Sequence, residues 1–126
     1  MAISFKSINV RGLRKRDKRK ATFSEICSLN CDICFLQETH WTSEMESTIQ
    51  SEWRETMLCN NGSSMSAGTA MLFTKTLEHS DYWCDNIGRI QAANIKYEGK
   101  TICVVNIYAP NKDSEQVSST KISLTS

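Results

Sequence analysis

The sequence predicts a mixed α/β domain built on stacked β-sheets. Three observations carry that expectation: a basic amphipathic segment follows a first short strand, a nearly continuous apolar run comes next, and five further strand-sized segments fill most of what remains. A strand, helix and strand in that order ask for helices layered on a sheet, and the strand-rich remainder with its tight turns asks for antiparallel pairing. With 126 residues, 40% hydrophobic and 23% charged, the chain has the size and composition of one globular domain.

Each element has its own signal. Residues 2–10 alternate loosely, with Ile3, Phe5, Ser7 and Asn9 on one face, and form a strand that Gly12 breaks. Over residues 15–29 the apolar Phe23, Ile26, Cys27 and Leu29 recur at helical spacing, with charge concentrated in the first half. Residues 32–37, DICFLQ, have the pattern of a strand buried on both faces. Ser43 with Glu46 three residues later has the form of a capping box, opening a short helix to about residue 50. Residues 53–59 read as a strand, followed by the Gly- and Ser-rich connection NNGSSMSAG. Residues 69–74, 81–84, 90–97 and 101–108 read as four more strands, with Glu98-Gly99 as a two-residue hairpin turn between the last two. After Ala109 the chain turns polar and loses its period. The domain is therefore expected over residues 1–111, and residues 112–126 as a disordered or non-native end.

Several classes are disfavoured. The apolar runs are strand-sized and far too short to cross a bilayer. The start, MAISFKSINV, lacks the basic region, apolar core and cleavage site of a signal peptide, so an intracellular location is expected. The six cysteines lie in apolar stretches, as Cys34 and Cys103 do, which suits buried free thiols in a reducing compartment. Cys27-x3-Cys31-x2-Cys34 with nearby His40 matches no common zinc module. The net charge of +1 hides an asymmetry. Residues 11–20, RGLRKRDKRK, hold seven Lys or Arg and one Asp, while the rest of the chain carries a net of −5. That concentration favours a localised polyanion contact and a nuclear rather than cytoplasmic address.

Polar signals fall at the expected strand ends. Asn9 closes the first strand, Gln37-Glu38 the second, and Asn106-x-Tyr108-x-x-Asn111 the last. Side by side, these ends would form one rim bearing a carboxylate, several amides and a phenol. Mg²⁺ takes oxygen ligands, commonly one or two carboxylates plus substrate phosphate oxygens. Amides and a phenol can hold phosphate oxygens without adding negative charge. The set suits metal-assisted phosphodiester hydrolysis. Singly, each residue also has an ordinary reading: a solvated Glu, a Tyr packed beside Pro110, turn-forming Asn.

The strings SINVRGL, DICFLQETHW, AGTAMLF and VVNIYAPN, in this order and separation, resemble the endonuclease/exonuclease/phosphatase superfamily. Within it they look most like the endonuclease domain of non-LTR (long-interspersed-element type) retrotransposon proteins, with exonuclease III-like enzymes as the neighbouring branch. The resemblance covers residues 3–111. It implies the N-terminal half of a four-layer, DNase I-like α/β sandwich, two mixed β-sheets flanked by helices, and Mg²⁺-dependent hydrolysis of DNA, with Mn²⁺ as a substitute metal. By the same resemblance Glu38 is the principal metal ligand, Asn9 helps position metal and phosphate, and Tyr108 orients the scissile phosphate or assists the nucleophile. Asn111 lies at the DNA-facing edge, Gln37 braces the site, and His40 stands behind Glu38 without a catalytic role. Arg11, Arg14, Lys15 and Arg16 are expected to meet the DNA backbone in a sequence-nonspecific, salt-sensitive way.

The family also uses an Asp-x-Asn pair from a Gly-Asp-Phe-Asn string and a closing Ser-Asp-His, and neither occurs here. On that reading the chain is a truncated or relic domain lacking its general base and expected to be inactive. An exposed sheet surface would then call for a complementing chain or self-association. Two alternatives remain: a non-catalytic DNA-binding fragment, and the phosphatase branch of the same superfamily.

Overall fold

Side-chain period decides the layers. In this computed structural model, which describes residues 2–62, 66–110 and, as backbone, 116–125, β1 (Phe5–Asn9) and β2 (Ile33–Gln37) run parallel, with Asn9 opposite Gln37. The helix α1 (Arg16–Ser28) joins them. A 3₁₀ turn (Ser43–Met45) leads into α2 (Glu46–Glu52), then β3 (Met57–Asn60) and β4 (Thr69–Phe73), which pair antiparallel and complete a mixed sheet of order β1-β2-β4-β3. β5 (His79–Cys84), β6 (Ile90–Tyr97), β7 (Lys100–Pro110) and β8 (Gln116–Thr125) form a second, antiparallel sheet in sequence order. The molecule is thus α/β with two four-stranded sheets and few helices, as the sequence predicts.

The apolar run of β2 is explained by the two cores it serves. Cys34 and Leu36, with Ala70 and Leu72 of β4, face the helices and pack with Phe23, Ile26, Ile49, Trp41 and Trp53. Ile33 and Phe35, with Met71 and Phe73, face the second sheet and pack on Ala93, Ile95, Ile102 and Val104. All five residues of both strands are buried. In the second sheet β6 and β7 alternate, every second residue buried over most of their length, while β5 has no buried residue and its Trp83 stands 56% exposed. At the β6–β7 hairpin Glu98 (φ 51°) and Gly99 (φ 75°) are both left-handed, as a type I′ turn requires. No helix among the described residues is long and apolar enough to cross a membrane, and all six cysteines are free.

Three expectations are corrected. First, much of the polar end is a strand: residues 116–125 pair antiparallel with residues 101–110 of β7, Gln116 opposite Pro110 through Thr125 opposite Thr101. Its Thr, Val and Ile content suits a pleated edge even without strong hydrophobicity. Residues 111–115 lie outside the described residues. Second, no capping box forms. Neither the 3₁₀ turn nor α2 has a side-chain cap, and Glu46 instead accepts a hydrogen bond from Asn61 Nδ2 at 2.9 Å. Third, the strand expected from residue 53 starts at Met57. Trp53 instead ends α2 and is buried against Phe23 at 5.3 Å between ring centroids, a burial that contributes roughly 2–3 kcal/mol.

Candidate active site

β2 ends where the backbone turns left-handed, at Glu38 (φ 58°) and His40 (φ 60°), opposite a third such residue, Arg11 (φ 50°). Each costs an L-residue about 1 kcal/mol, so the surroundings must hold them. The β1–β2 ladder does so by continuing past both strands: Val10 N donates to Gln37 O (3.0 Å), Gly12 N to Glu38 O (2.7 Å) and Leu13 N to Thr39 O (2.9 Å). From the other side Thr39 N donates to Gly68 O (3.2 Å) and His40 N to Ala67 O (2.9 Å). Two glycines make this approach possible. A Cβ on Gly12 would sit 2.9 Å from His40 Nδ1, and one on Gly68 would overlap Thr39 Oγ1. Trp41 Nε1 pins the same turn to Leu13 O at 2.9 Å.

What this scaffold presents is a group of polar atoms without partners. Glu38 is only 6% exposed. Its Oε2 has no hydrogen-bond partner, and its Oε1 lies 3.6 Å from His40 Nε2, itself unpartnered. Gln37 Oε1, Thr39 Oγ1 and Thr69 Oγ1 are also unpartnered, so five of the eight such buried atoms among the described residues come from this corner. Burying a carboxylate oxygen without a partner costs several kcal/mol. Chemically, the corner can accept a cation.

Tyr108 joins it from the second sheet. Its side chain is buried and its N–H donates to Arg89 O at 2.7 Å. Burial raises the phenol pKa and the Glu38 carboxylate raises it further, against a smaller opposing effect from Arg89. The phenol therefore stays protonated at neutral pH and can donate to an oxyanion. Asn9 is half-buried at the end of β1, and its Oδ1 accepts from Arg11 N at 3.0 Å, ordering the turn. Asn9, Gln37, Glu38, His40 and Tyr108 are thus brought to one rim. Asn111 lies outside the described residues.

The rim stands on amides that cross between the sheets. Gln37 Nε2 donates to Ser7 Oγ (2.9 Å) and Asn106 Oδ1 (2.8 Å). Asn106 Nδ2 shares its protons among Leu36 O (3.0 Å), Ala70 O (3.2 Å) and Gln91 Oε1 (2.9 Å). Gln91 Nε2 passes the chain on to Tyr82 OH at 2.9 Å and Leu58 O at 3.1 Å. The sequence placed Asn106 near this rim but gave it no role. Its bracing role rests on long-range partners that no local pattern records.

Arg89 was missed altogether. It is exposed on the β5–β6 loop, whose shape Asp85 sets by accepting from Ile87 N, Arg89 N, Ile90 N and Asn60 Nδ2 at 2.8–3.3 Å. Burial alone would raise the Asp85 pKa, yet these donors outweigh it and hold the carboxyl below its ordinary value.

The basic run divides in two. Arg11, Arg14, Lys15, Arg16 and Lys20 are exposed. Arg19 is 4% exposed and makes a two-pronged ion pair with Glu52, Nε to Oε1 at 2.7 Å and Nη2 to Oε2 at 2.9 Å, tying α1 to α2. Lys18 Nζ turns back to Val10 O at 2.8 Å. In the Cys27, Cys31, Cys34 run Cys34 is fully buried, and burial pushes its thiol up to about 12.

No protein-family model matches the chain. It is similar at 27% identity over 118 residues, 92% of its length, to an uncharacterized 149 kDa protein of transposon TX1 from Xenopus laevis. The likeness is to a transposon protein. The chain spans 9% of that relative's length.

Proposed function

We propose that this chain is the metal- and phosphate-binding part of a non-LTR retrotransposon endonuclease that hydrolyses DNA phosphodiesters with Mg²⁺. The observation that carries the reading is the buried, unpartnered Glu38 Oε2, held on a left-handed residue at the rim. The similarity to a transposon protein favours the nuclease over the phosphatase branch.

The donor set fits Mg²⁺. It offers one carboxylate, and the Gln37, Thr39 and Thr69 oxygens at the same strand end are likewise without hydrogen-bond partners. Mg²⁺ commonly completes its shell with water and substrate phosphate oxygens. Bound there, it would neutralise charge on the phosphate and acidify water. Glu38 would hold it, with Asn9 beside it, and Gln37 keeps the rim in register. The Tyr108 phenol donates to a non-bridging phosphate oxygen. Arg11 and Arg89 draw the phosphodiester in from opposite sheets, and Arg14, Lys15 and Arg16 hold the flanking backbone. Within these 126 residues the only other histidine, His79, packs on Phe73 at 5.7 Å, at the far end of the sheets. His40 stands behind Glu38 on this reading rather than serving as the base, so these residues by themselves are expected to bind without turning over.

Loss of the free Mn²⁺ electron-resonance signal on adding protein tests the site. Wild type should take up Mn²⁺ and Glu38→Gln should not; equal uptake would sink the reading. Plasmid nicking that disappears in Glu38→Ala would instead show that a base is present. Replacing Arg14, Lys15 and Arg16 by Ala should weaken DNA binding, read by anisotropy, and flatten its salt dependence by about one charge per residue removed.

A further inference from the structure

A groove away from the rim runs between α1 and the turn after α2. Its volume is ≈ 390 Å³, within the roughly 300–1,000 Å³ of small-ligand sites. Phe23 and Trp53, packed edge to face, lie at its base, and the exposed Cys27 lines one wall. The groove opens on the outer side of the helix-side core, to which Phe23 and Trp53 belong, and none of its lining residues is Asn9, Gln37, Glu38, His40 or Tyr108.

Its mouth is positive. Arg16, Lys20 and Arg54 border it and are exposed. Of the two bordering carboxylates, Glu52 is already engaged by both prongs of the buried Arg19, and hydrogen bonding from Arg19 is the largest of the effects that hold it below its ordinary pKa. Glu55 is then the single uncompensated negative charge against three cations. An apolar base under a cationic mouth is complementary to a molecule with an apolar body and an anionic head. A nucleic-acid backbone supplies the charge without the body, so this groove is not an extension of the rim.

We infer that the α1–α2 groove is a binding site for a small amphipathic anion, its apolar body against Phe23 and Trp53 and its carboxylate, sulfonate or phosphate between Lys20 and Arg54. The inference does not depend on nuclease activity.

Anilinonaphthalenesulfonate, titrated into the full chain and followed by its fluorescence, tests this. One saturable site is expected. Cys27→Trp, which fills the cavity from an exposed position, should abolish it, and Lys20→Glu with Arg54→Glu should weaken it about tenfold or more. Trp83→Ser, on the far sheet, should leave it unchanged. Displacement by laurate, by naphthoate or by both supports the site and tells an aliphatic from an aromatic body. The inference is overturned if neither competitor displaces the dye, if Trp83→Ser removes the signal, or if the charge-reversal pair binds as tightly as wild type. That pair lies at two exposed positions, so the test survives a Cys27→Trp chain that does not fold.

Discussion

The two ends of β2 obey opposite rules. Where the strand begins, every polar group named is met: Asp32 Oδ2 accepts from Ser4 N at 2.9 Å, its Oδ1 pairs with Lys75 at 2.9 Å, Thr74 Oγ1 donates to Cys31 O, and Ser4 Oγ donates to Asn30 O. Where it ends, Glu38 Oε2, the Gln37 amide oxygen and the Thr39 and Thr69 hydroxyls are buried without hydrogen-bond partners, and Glu38 and His40, 3.6 Å apart, sit on left-handed backbone. Five residues of the same apolar strand connect them. A fold that satisfies its polar groups at one end can do so at the other. The open end therefore reads as a place where stability is given up for a ligand.

That contrast can be broken in four ways. The largest effect is expected at Asn106→Leu, beneath the open end. Losing its carboxamide strands Leu36 O, Ala70 O and partner groups on Gln37 and Gln91, at a cost of about 3–4 kcal/mol in urea unfolding. A loss under 1 kcal/mol would mean the amides are incidental. At the closed end, Asp32→Ala should cost about 1 kcal/mol, discounted because Lys75 is 46% exposed. Burial raises the Asp32 pKa, but the Lys75 ion pair and the Ser4 N–H together bring it below its ordinary value. Its contribution is therefore complete above about pH 4 and lost as pH falls through the lower folded value; Asp32→Asn should erase that part of the acid profile.

Glu38→Gln should do the reverse at the open end. It should stabilise the metal-free chain by about 1 kcal/mol by replacing a carboxylate whose Oε2 is buried without a hydrogen bond, while ending Mn²⁺ uptake. A destabilised Gln variant would show that Glu38 is structural. The smallest effect is a control. Glu98 is also left-handed, but in a hairpin turn, and Glu98→Asn should add about 0.5 kcal/mol with metal uptake unchanged.

Most of this architecture was readable because burial writes a period into the chain. ICFL and AMLF are apolar throughout since each serves two cores, and Glu98-Gly99 announces its turn through backbone chemistry. Of the rim, Asn9, Gln37, Glu38 and Tyr108 were all expected at strand ends, and the register of β1 on β2 sets Asn9 opposite Gln37. What escaped shares one cause, dependence on distant partners. Arg19 looks like its basic neighbours and differs only in facing Glu52 across 33 positions. Asn106 reaches Leu36 across 70. β8 escaped because a polar edge strand takes its order from the neighbour it pairs with rather than from its own pattern.

Asn106 gives the molecule a built-in gauge. Its amide protons are sealed between Leu36 and Ala70 of one sheet while its own strand belongs to the other. They can reach water only when the sheets part. Their hydrogen-exchange rate, seen as a side-chain amide signal that persists in deuterated solvent, would report the opening of the sandwich itself, separately from fraying at any strand end.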